Sequence, residues 1–497
     1  MYDLIIKNGK IIDGTGSPYY RADVAVKDGK IARIGKDLGD AERVIDASGL
    51  TVTPGFIDSH SHADSALLTY PELIEKVEQG ITTSITGQCG SSAAPTREIS
   101  AGEFLEGLRD KPFGANTVFL IGHCTLRRLT VGVENRAPTA EELEKMKELL
   151  RDGLEHGAAG LSYGLYYTPG CYAALPELVA LAQVVAEYNG IITAHIRNES
   201  SAVVQSVEEF LEIVRQTGAR GVISHHKSAQ KANWGKVQHT LRMIDEANED
   251  GFEVYCDVYP YTASNTSLCA TIIPKEYRDK SDDDIVKMLS DEAMRQQIRE
   301  DAVKSLGEDL SWVMITSCTK LPHVQGKRIS ELAEAWGKSH YDAAFDVIRD
   351  SHVSCSASSF SMCEDDVETV LRHPRAMICT DSGVARHLTV YHPRLRGTFP
   401  RVLGRYVRER GVTTLQEMIR KMTAMPAMVY GLKGKGLLVE GFDADICIFD
   451  ADTIIDRAEY VDCTKRAEGL NYVLVGGEIV AENAVYTGAL PGKMLLK

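Results

Sequence analysis

The chain has 497 residues, of which 44% are hydrophobic and 25% are charged, so it can bury the core of two or three domains or of one barrel with attachments. Its net charge of −15 argues against nucleic acid as a partner. No window approaches the roughly 18–20 apolar residues of a membrane span, so no membrane segment is predicted.

Eleven cysteines are scattered along the chain without a C-x-x-C pair. The first residues, MYDLIIKNGKIIDG, have neither the charged start nor the apolar core of a signal peptide. We therefore expect a reducing, cytoplasmic compartment and free thiols. A cysteine near histidines is then a candidate metal ligand rather than half of a disulfide.

Both ends of the chain predict short β-strands joined by tight turns. Apolar and polar residues alternate around glycine turn pairs such as Asn8-Gly9 and Gly476-Gly477, which is the pattern of a β-hairpin. This pattern occurs in residues 2–13, 22–35 and 469–480, and residues 441–450 predict a further strand. We predict that residues 1–54 and 430–497 together form one small β-sandwich domain.

Between these ends, short apolar runs alternate with amphipathic helical segments such as 140–156, 175–188 and 202–217. Buried strands alternating with helices favour a parallel sheet, and eight such units predict a (β/α)8 barrel over residues 55–429. A further apolar run, 311–319, is assigned to an insertion after the seventh strand, at about 270–340. The insertion is either a lid over an active site or a passive surface excursion.

The first barrel strand is predicted within PGFIDSHSHAD, residues 54–64. His60 and His62 follow it at i and i+2, so their side chains point to the same face of the strand. Imidazole is the commonest protein ligand for metals near neutral pH, and zinc prefers nitrogen and sulfur donors. The pair is half of a metal site, or two polar loop residues if no other strand brings donors.

Other strands do bring donors. Polar side chains end most of the predicted strands, and a barrel carries its chemistry at these ends. They are Cys89, His123, His195, Glu199, His225, His226, Lys227, Tyr259, Tyr261 and Asp381. Because the strand ends converge on one rim, we predict a metal site there. His226 is expected to face the helices, and His123 is expected to pack or to hold a neighbour.

The motifs resemble those of the amidohydrolase superfamily, and most closely the D-aminoacylases, or N-acyl-D-amino-acid deacylases. The matching stretches cover nearly the whole chain in order. They are GFIDSHSH, ITGQCGSSAAP, GHCTLR, GLYYTPG, HIRNES, ISHHK, YPYTAS, HPRLRGTFPRVLG, MTAMPA and TGALPG.

The resemblance implies two metal positions. Cys89, His195 and His225 match the ligands of a tightly held zinc ion, whereas His60 and His62 match a weaker second position that is often empty. Many members of the superfamily bridge two metals with a carbamylated lysine at the end of strand four. That strand here reads GLSYG without a lysine, so Cys89 would supply the anionic ligand.

The resemblance also implies the groups that carry out the reaction. Asp381 matches the general base, although a role as metal ligand stays open, and Tyr167 matches a tyrosine that polarises the scissile carbonyl. Three residues match groups that hold the substrate's α-carboxylate: Lys227, Tyr259 and Arg394. Tyr261 is the alternative to Tyr259 in this alignment.

The predicted function is hydrolysis of the amide bond of N-acyl-D-amino acids by a zinc enzyme. A dipeptidase, a deaminase, a cyclic-amide hydrolase and a non-catalytic scaffold are the alternatives, and the retained ligands argue against the scaffold. The preferred acyl group and side chain cannot be read from the sequence. Lys275, Arg278 and Lys280 are either cations for an acidic side chain or solvated surface charges.

Overall fold

The computed structural model describes residues 1–278 and 280–497. Within these residues, eight parallel strands pair in chain order to form the barrel wall. The first to eighth barrel strands are Phe56–Asp58, Ile81–Thr86, Asn116–Gly122, Gly160–Gly164, Ile191–His195, Arg220–Ile223, Val254–Val258 and Ala376–Ile378.

The first and eighth strands close the barrel. The amide of Ser59 donates to the carbonyl of Ile378, and a parallel bridge joins Ser61 to Ser382 just beyond the strand ends. The strands are buried on both faces, which explains their continuous apolar sequences. One apolar cluster takes a side chain from nearly every strand: Ile57, Ile85, Val118, Ile191, Val222, Tyr255 and Met377.

Helices cover the outside of the barrel and pack their apolar faces on the strands. Two of them begin with a capping box, at Ser100 and at Thr139. The α-helices are Ile74–Val77, Ala101–Leu108, His123–Thr130, Ala140–Glu155, Leu175–Glu187, Val203–Thr217, Val237–Glu249, Glu364–Arg372, Arg394–Arg401, Leu415–Met422 and Ala424–Tyr430, and Val402–Glu409 is a π-helix. Short 3-10 turns lie at Asp64–Ala66, Gly170–Tyr172, Lys231–Asn233, Lys275–Tyr277 and Pro322–Val324.

The excursion between the seventh and eighth strands folds around its own apolar core. Its strands pair only with one another in the described residues, in the order Ser264–Ser267, Ser356–Ser359, Val313–Ser317. It therefore extends beyond residues 270–340. Its first strand reads SNTS and its central strand reads SASS, and neither has the apolar alternation that identifies a strand. Its helices are Leu268–Ile272, Asp282–Ser290, Glu292–Leu306, Ile329–Trp336 and His340–Asp350.

The two chain ends share a single hydrogen-bonded sheet of nine strands in the described chain. Thr51–Pro54 pairs antiparallel with Ile446–Phe449, which joins the two ends. The other strands are Tyr2–Ile11, Tyr20–Lys27, Lys30–Gly35, Ala41–Asp46, Leu470–Val475, Glu478–Glu482 and Val485–Tyr486. The predicted barrel with a β-domain built from both ends is confirmed, and the domain limits at 54/55 and 429/430 stay predictions.

None of the helices in the described residues combines the length and the apolar character that crossing a membrane requires.

Candidate metal centre

Cys89 lies at the centre of a cluster of imidazoles. Its Sγ is 3.2 Å from Nε2 of His225, 3.3 Å from Nε2 of His60 and 3.7 Å from Nδ1 of His195. The four residues follow four different barrel strands, and all are buried. Thiolate sulfur and imidazole nitrogen are the donors that zinc prefers.

The backbone turns sharply to aim these side chains inward. Cys89, His225 and Asp381 each have a positive φ, at 53°, 36° and 48°, which residues other than glycine seldom adopt. Such strain persists only where the surrounding structure fixes it, and it is common at functional sites. The three turns place one donor each from the second, sixth and eighth strands.

Ser162 explains how the fourth strand serves this site without a lysine. Its hydroxyl donates to the carbonyl of Gly87 at 2.6 Å and accepts from the amide of Gly90 at 3.0 Å. These two contacts bracket Cys89. Gly164, on the same strand, has no room for a side chain, since a Cβ there would lie 2.1 Å from the Cys89 carbonyl oxygen. The fourth strand thus holds the cysteine loop.

Asp381 links the metal donors to a buried arginine. Its Oδ1 is 3.2 Å from Nε2 of His62 and 3.6 Å from Nε2 of His60, and its Oδ2 accepts from Arg394 at 2.5 Å. Burial alone would raise the pKa of Asp381, but Arg394 and the neighbouring histidines hold this pKa well below its usual range. Asp381 is therefore ionised.

The protonation states suit a zinc ion. Burial lowers the pKa of His60 and takes that of His195 to about 3, so both imidazoles are neutral and have a lone pair to offer. Burial also raises the pKa of Cys89, and the nearby Asp381 charge adds to this effect. A bound metal reverses that preference, because it deprotonates a coordinating thiol. The donor set fits zinc.

Among the described residues, two groups of donors are compact enough for an ion, each with its ligand atoms within 4.8 Å of one another. They are His60, Cys89, His225 and Asp381, and His195, Glu199 and His225. His60, predicted at a separate position with His62, thus lies against Cys89, while His62 contacts Asp381. The two predicted metal positions therefore adjoin, and the assignment of ligands to each stays a prediction.

Lys227 and Glu199 lie on the other side of His225. Lys227 Nζ is 2.6 Å from Glu199 Oε1 and 2.7 Å from His225 Nδ1. The sequence predicts Glu199 at the end of the fifth strand and indicates no role for it. Its position four residues after His195, in HIRNES, was the available signal. The side-chain contacts that give it importance cannot be read from spacing.

Tyr259 lies between two cations. Its ring is 5.4 Å from Lys227 Nζ and 5.0 Å from the Arg394 guanidinium, and its buried hydroxyl has no hydrogen-bond partner among the described residues. Tyr261 instead packs on His392 and Arg401 and does not line the main cavity. The geometry therefore favours Tyr259 over Tyr261 as a substrate contact.

A cavity of about 650 Å³ opens above these residues, which is the size of a small-molecule site. The barrel contributes Tyr167, whose ring is 4.8 Å from that of His195. Burial raises the pKa of Tyr167 well above its usual value, so its hydroxyl keeps the proton. The insertion contributes Thr266, Arg278 and Trp312, and it therefore forms part of the wall.

Two rim histidines lie outside the cluster, as the sequence predicted. His226 Nε2 is 2.8 Å from the hydroxyl of Thr240, on the helix Val237–Glu249. His123 Nε2 is 2.8 Å from Glu177 Oε1, on another outer helix. Both side chains hold helices against the barrel.

Known proteins resemble this chain over nearly its whole length. The model of the amidohydrolase family matches residues 43–481. An N-acyl-D-glutamate deacylase of Alcaligenes xylosoxydans xylosoxydans is 38% identical, over 99% of this chain and 96% of its own. A D-aminoacylase of the same organism is 34% identical, over 100% and 98%.

Solved structures give the same result. The N-acyl-D-glutamate deacylase of Bordetella bronchiseptica, complexed with zinc and a phosphonate mimic of the tetrahedral intermediate, matches with a TM-score of 0.83 at 37% identity over 100% of both chains. A D-aminoacylase structure with a binuclear metal centre matches with a TM-score of 0.86 at 33% identity over 100% of both chains. The chain belongs to the amidohydrolase family, and within it to the D-aminoacylases.

Proposed function

We propose that this protein is a zinc-dependent deacylase that hydrolyses N-acyl-D-amino acids to a carboxylate and a free D-amino acid. The observation that carries the proposal is the convergence of Cys89, His195 and His225 beside an ionised Asp381 at the end of a substrate-sized cavity. Full-length relatives include an N-acyl-D-glutamate deacylase and a D-aminoacylase.

Zinc held by Cys89, His195 and His225 would supply a Lewis acid that lowers the pKa of bound water from about 16 to near 7. Asp381 would serve as general base and then as general acid, taking a proton from the attacking water and delivering it to the leaving nitrogen. Tyr167, which stays protonated, donates a hydrogen bond to the scissile carbonyl oxygen. His60 and His62, next to Asp381, form the weaker second metal position.

The substrate's α-carboxylate binds between Lys227 and Arg394, with the hydroxyl of Tyr259 as third donor. The support is electrostatic, because two cations flank the ring of Tyr259, whose hydroxyl has no partner within the described chain. Arg394 offers a planar fork that suits a carboxylate. Glu199 accepts a hydrogen bond from Lys227, and Asp381 accepts one from Arg394.

We also propose a preference for acidic side chains. Arg278 lines the cavity, stacks 4.9 Å from the ring of Tyr166 and donates to the carbonyl of Ala270, while its Nε has no acceptor in the described part of the chain. A cation oriented in this way suits the second carboxylate of an N-acyl-D-glutamate or N-acyl-D-aspartate.

Arg278→Gln tests this preference, with Lys275→Gln as control because Lys275 does not line the cavity. We expect kcat/KM for N-acetyl-D-glutamate to fall about tenfold or more in Arg278→Gln, since a charge-assisted contact is lost. N-acetyl-D-leucine should be hydrolysed as by the unaltered enzyme. An equal loss for both substrates would contradict the preference.

The proposed function is tested by metal analysis together with a substrate panel. We expect about one tightly bound zinc per chain and release of free D-amino acid from N-acetyl-D-amino acids. The panel includes N-acetyl-L-amino acids, dipeptides and hydantoins as the competing substrate classes. Hydrolysis of a hydantoin without deacylation, or the absence of both zinc and activity, would overturn the proposal.

We place the enzyme in the cytoplasm, supported by its eleven free cysteines.

A further inference from the structure

Glu199 faces two of the metal-ligand imidazoles at once. Its Oε1 is 2.9 Å from Nδ1 of His225, and its Oε2 is 3.7 Å from Nε2 of His195. In each ring the other nitrogen faces Cys89: Nε2 of His225 at 3.2 Å and Nδ1 of His195 at 3.7 Å. Both rings therefore lie between one thiol and one carboxylate.

An imidazole that binds a metal through one nitrogen carries its proton on the other, and the group that accepts this proton sets the tautomer and the orientation of the ring. The two ligands here use opposite nitrogens, so they need opposite tautomers. We propose that Glu199 is a positioning residue that fixes both tautomers, one with each carboxylate oxygen. This inference rests on the proposed zinc site.

A direct role of Glu199 as ligand beside Cys89 does not fit the contacts. The two nitrogens of an imidazole point away from each other, so an ion next to the thiol lies beyond the rings from the carboxylate. Lys227 Nζ lies 2.6 Å from Glu199 Oε1 and pairs with this carboxylate.

Lys227 connects this arrangement to the substrate. Its Nζ is within hydrogen-bond distance of both Glu199 Oε1 and His225 Nδ1. Once Nδ1 carries a proton, it cannot accept from the ammonium group, so Lys227 donates to Glu199 or to the substrate's carboxylate. Glu199 thus contacts both the metal ligands and the cation for the substrate, and the experiment must separate these two effects.

The experiment compares three variants by zinc affinity, measured without substrate by competition with a chelator, and by the cobalt absorption spectrum. Glu199→Gln places an amide NH2 against one imidazole and opposes its tautomer, so we expect zinc to bind 10- to 100-fold more weakly and the cobalt spectrum to change. Lys227→Met should raise KM and leave zinc affinity within twofold of the unaltered value. Glu209→Gln is the matched control, because Glu209 pairs with Arg197 away from the ligands.

The results decide between the roles. If Glu199→Gln binds zinc as tightly as the unaltered enzyme and only raises KM, as Lys227→Met does, Glu199 merely holds Lys227 and the inference is wrong. If the unaltered enzyme binds no zinc, the proposed function fails instead. Glu199→Asp keeps the negative charge and takes the place of Glu199→Gln if the glutamine variant does not fold. Its zinc affinity is expected to lie between those of the unaltered enzyme and of Glu199→Gln.

Discussion

Two buried ion pairs, Lys76–Asp58 and Arg394–Asp381, lie where the first and eighth strands meet, and they differ in how many of the surrounding polar atoms have hydrogen-bond partners. At the seam between the first and eighth strands, Lys76 donates to Asp58 at 2.9 Å, to the hydroxyl of Thr380 at 2.7 Å and to the carbonyl of Ser382 at 2.8 Å. Both side chains of the Lys76–Asp58 pair are fully buried. This seam cluster closes the barrel.

At the rim, Asp381 pairs with Arg394, but several buried polar atoms around this pair lack hydrogen-bond partners. The buried atoms Arg394 Nε, Tyr259 hydroxyl, His60 Nδ1 and Asp257 Oδ2 have no hydrogen-bond partner within the described residues. Buried polar groups in native proteins are normally paired, and the exceptions need an explanation. In the seam cluster the ion pair is fully hydrogen-bonded, and we expect it to stabilise the fold. In the rim cluster, unpartnered polar atoms remain available to a metal and a substrate.

Cys89→Ala should abolish metal binding by the rim cluster and leave the seam cluster intact. Of the substitutions considered, it should have the largest effect on activity. Removal of the thiolate leaves His195 and His225 without the anionic member of the predicted ligand set, so zinc is lost on dialysis. Deacylation should then fall by about a thousandfold or more, since metal activation of water is lost. Metal analysis and initial rates measure these losses. Cys363→Ala, at a cysteine outside the cluster, is the control, and a Cys89→Ala enzyme that keeps zinc and activity would contradict the assignment.

Lys76→Met should disrupt the seam cluster instead and reduce the stability of the fold. The substitution leaves the Asp58 carboxylate buried without its cation, which lowers the free energy of unfolding by about 3–5 kcal/mol. Urea unfolding measures the change. Lys111→Met, at an exposed lysine, should change the free energy of unfolding by less than about 0.5 kcal/mol. An equally small effect of Lys76→Met would show that the seam does not carry stability.

Tyr259→Phe sharpens the comparison, since it removes a hydroxyl without a partner in the described chain. The free energy of unfolding should be unchanged or slightly higher, whereas KM should rise about tenfold because the substrate's carboxylate loses a hydrogen bond. Steady-state kinetics and urea unfolding are the measurements. Tyr261→Phe removes a comparable hydroxyl outside the main cavity and should change neither quantity.

The smallest expected effect is on the pH dependence of stability, and it comes from Lys421, a buried lysine on an outer helix. Lys421 donates to the carbonyls of Leu371 and His373, and burial lowers its pKa from 10.5 to about 8. Between these values the unfolded chain holds a proton that the folded protein has lost, so stability rises with pH. From pH 8 to 9, the free energy of unfolding should rise by about 1 kcal/mol relative to Lys421→Met. A parallel pH course of the two proteins would contradict this, and exposed Lys433→Met serves as control.

The sequence was sufficient for the barrel and for the list of rim residues, because parallel strands end at one edge and their apolar runs are recognisable. It could not assign side-chain contacts. His60 lies against Cys89 and also beside His62, and such side-chain contacts cannot be read from the spacing of residues along the chain. Lys76 was missed because its partners Thr380 and Ser382 lie some 300 residues away.

The pairing of Thr51–Pro54 with Ile446–Phe449 has a consequence for biosynthesis. The inner edge of the N-terminal strands stays uncovered until the ribosome has made a further 394 residues, as the separation of Thr53 and Cys447 shows. At about 5–20 residues per second, this interval is roughly 20–80 seconds. Throughout that time the nascent chain exposes an open β-edge, which is a template for association with other chains. Completion of the β-domain is therefore a late, post-barrel event, and chaperones that shield strand edges are expected to raise the yield of this protein.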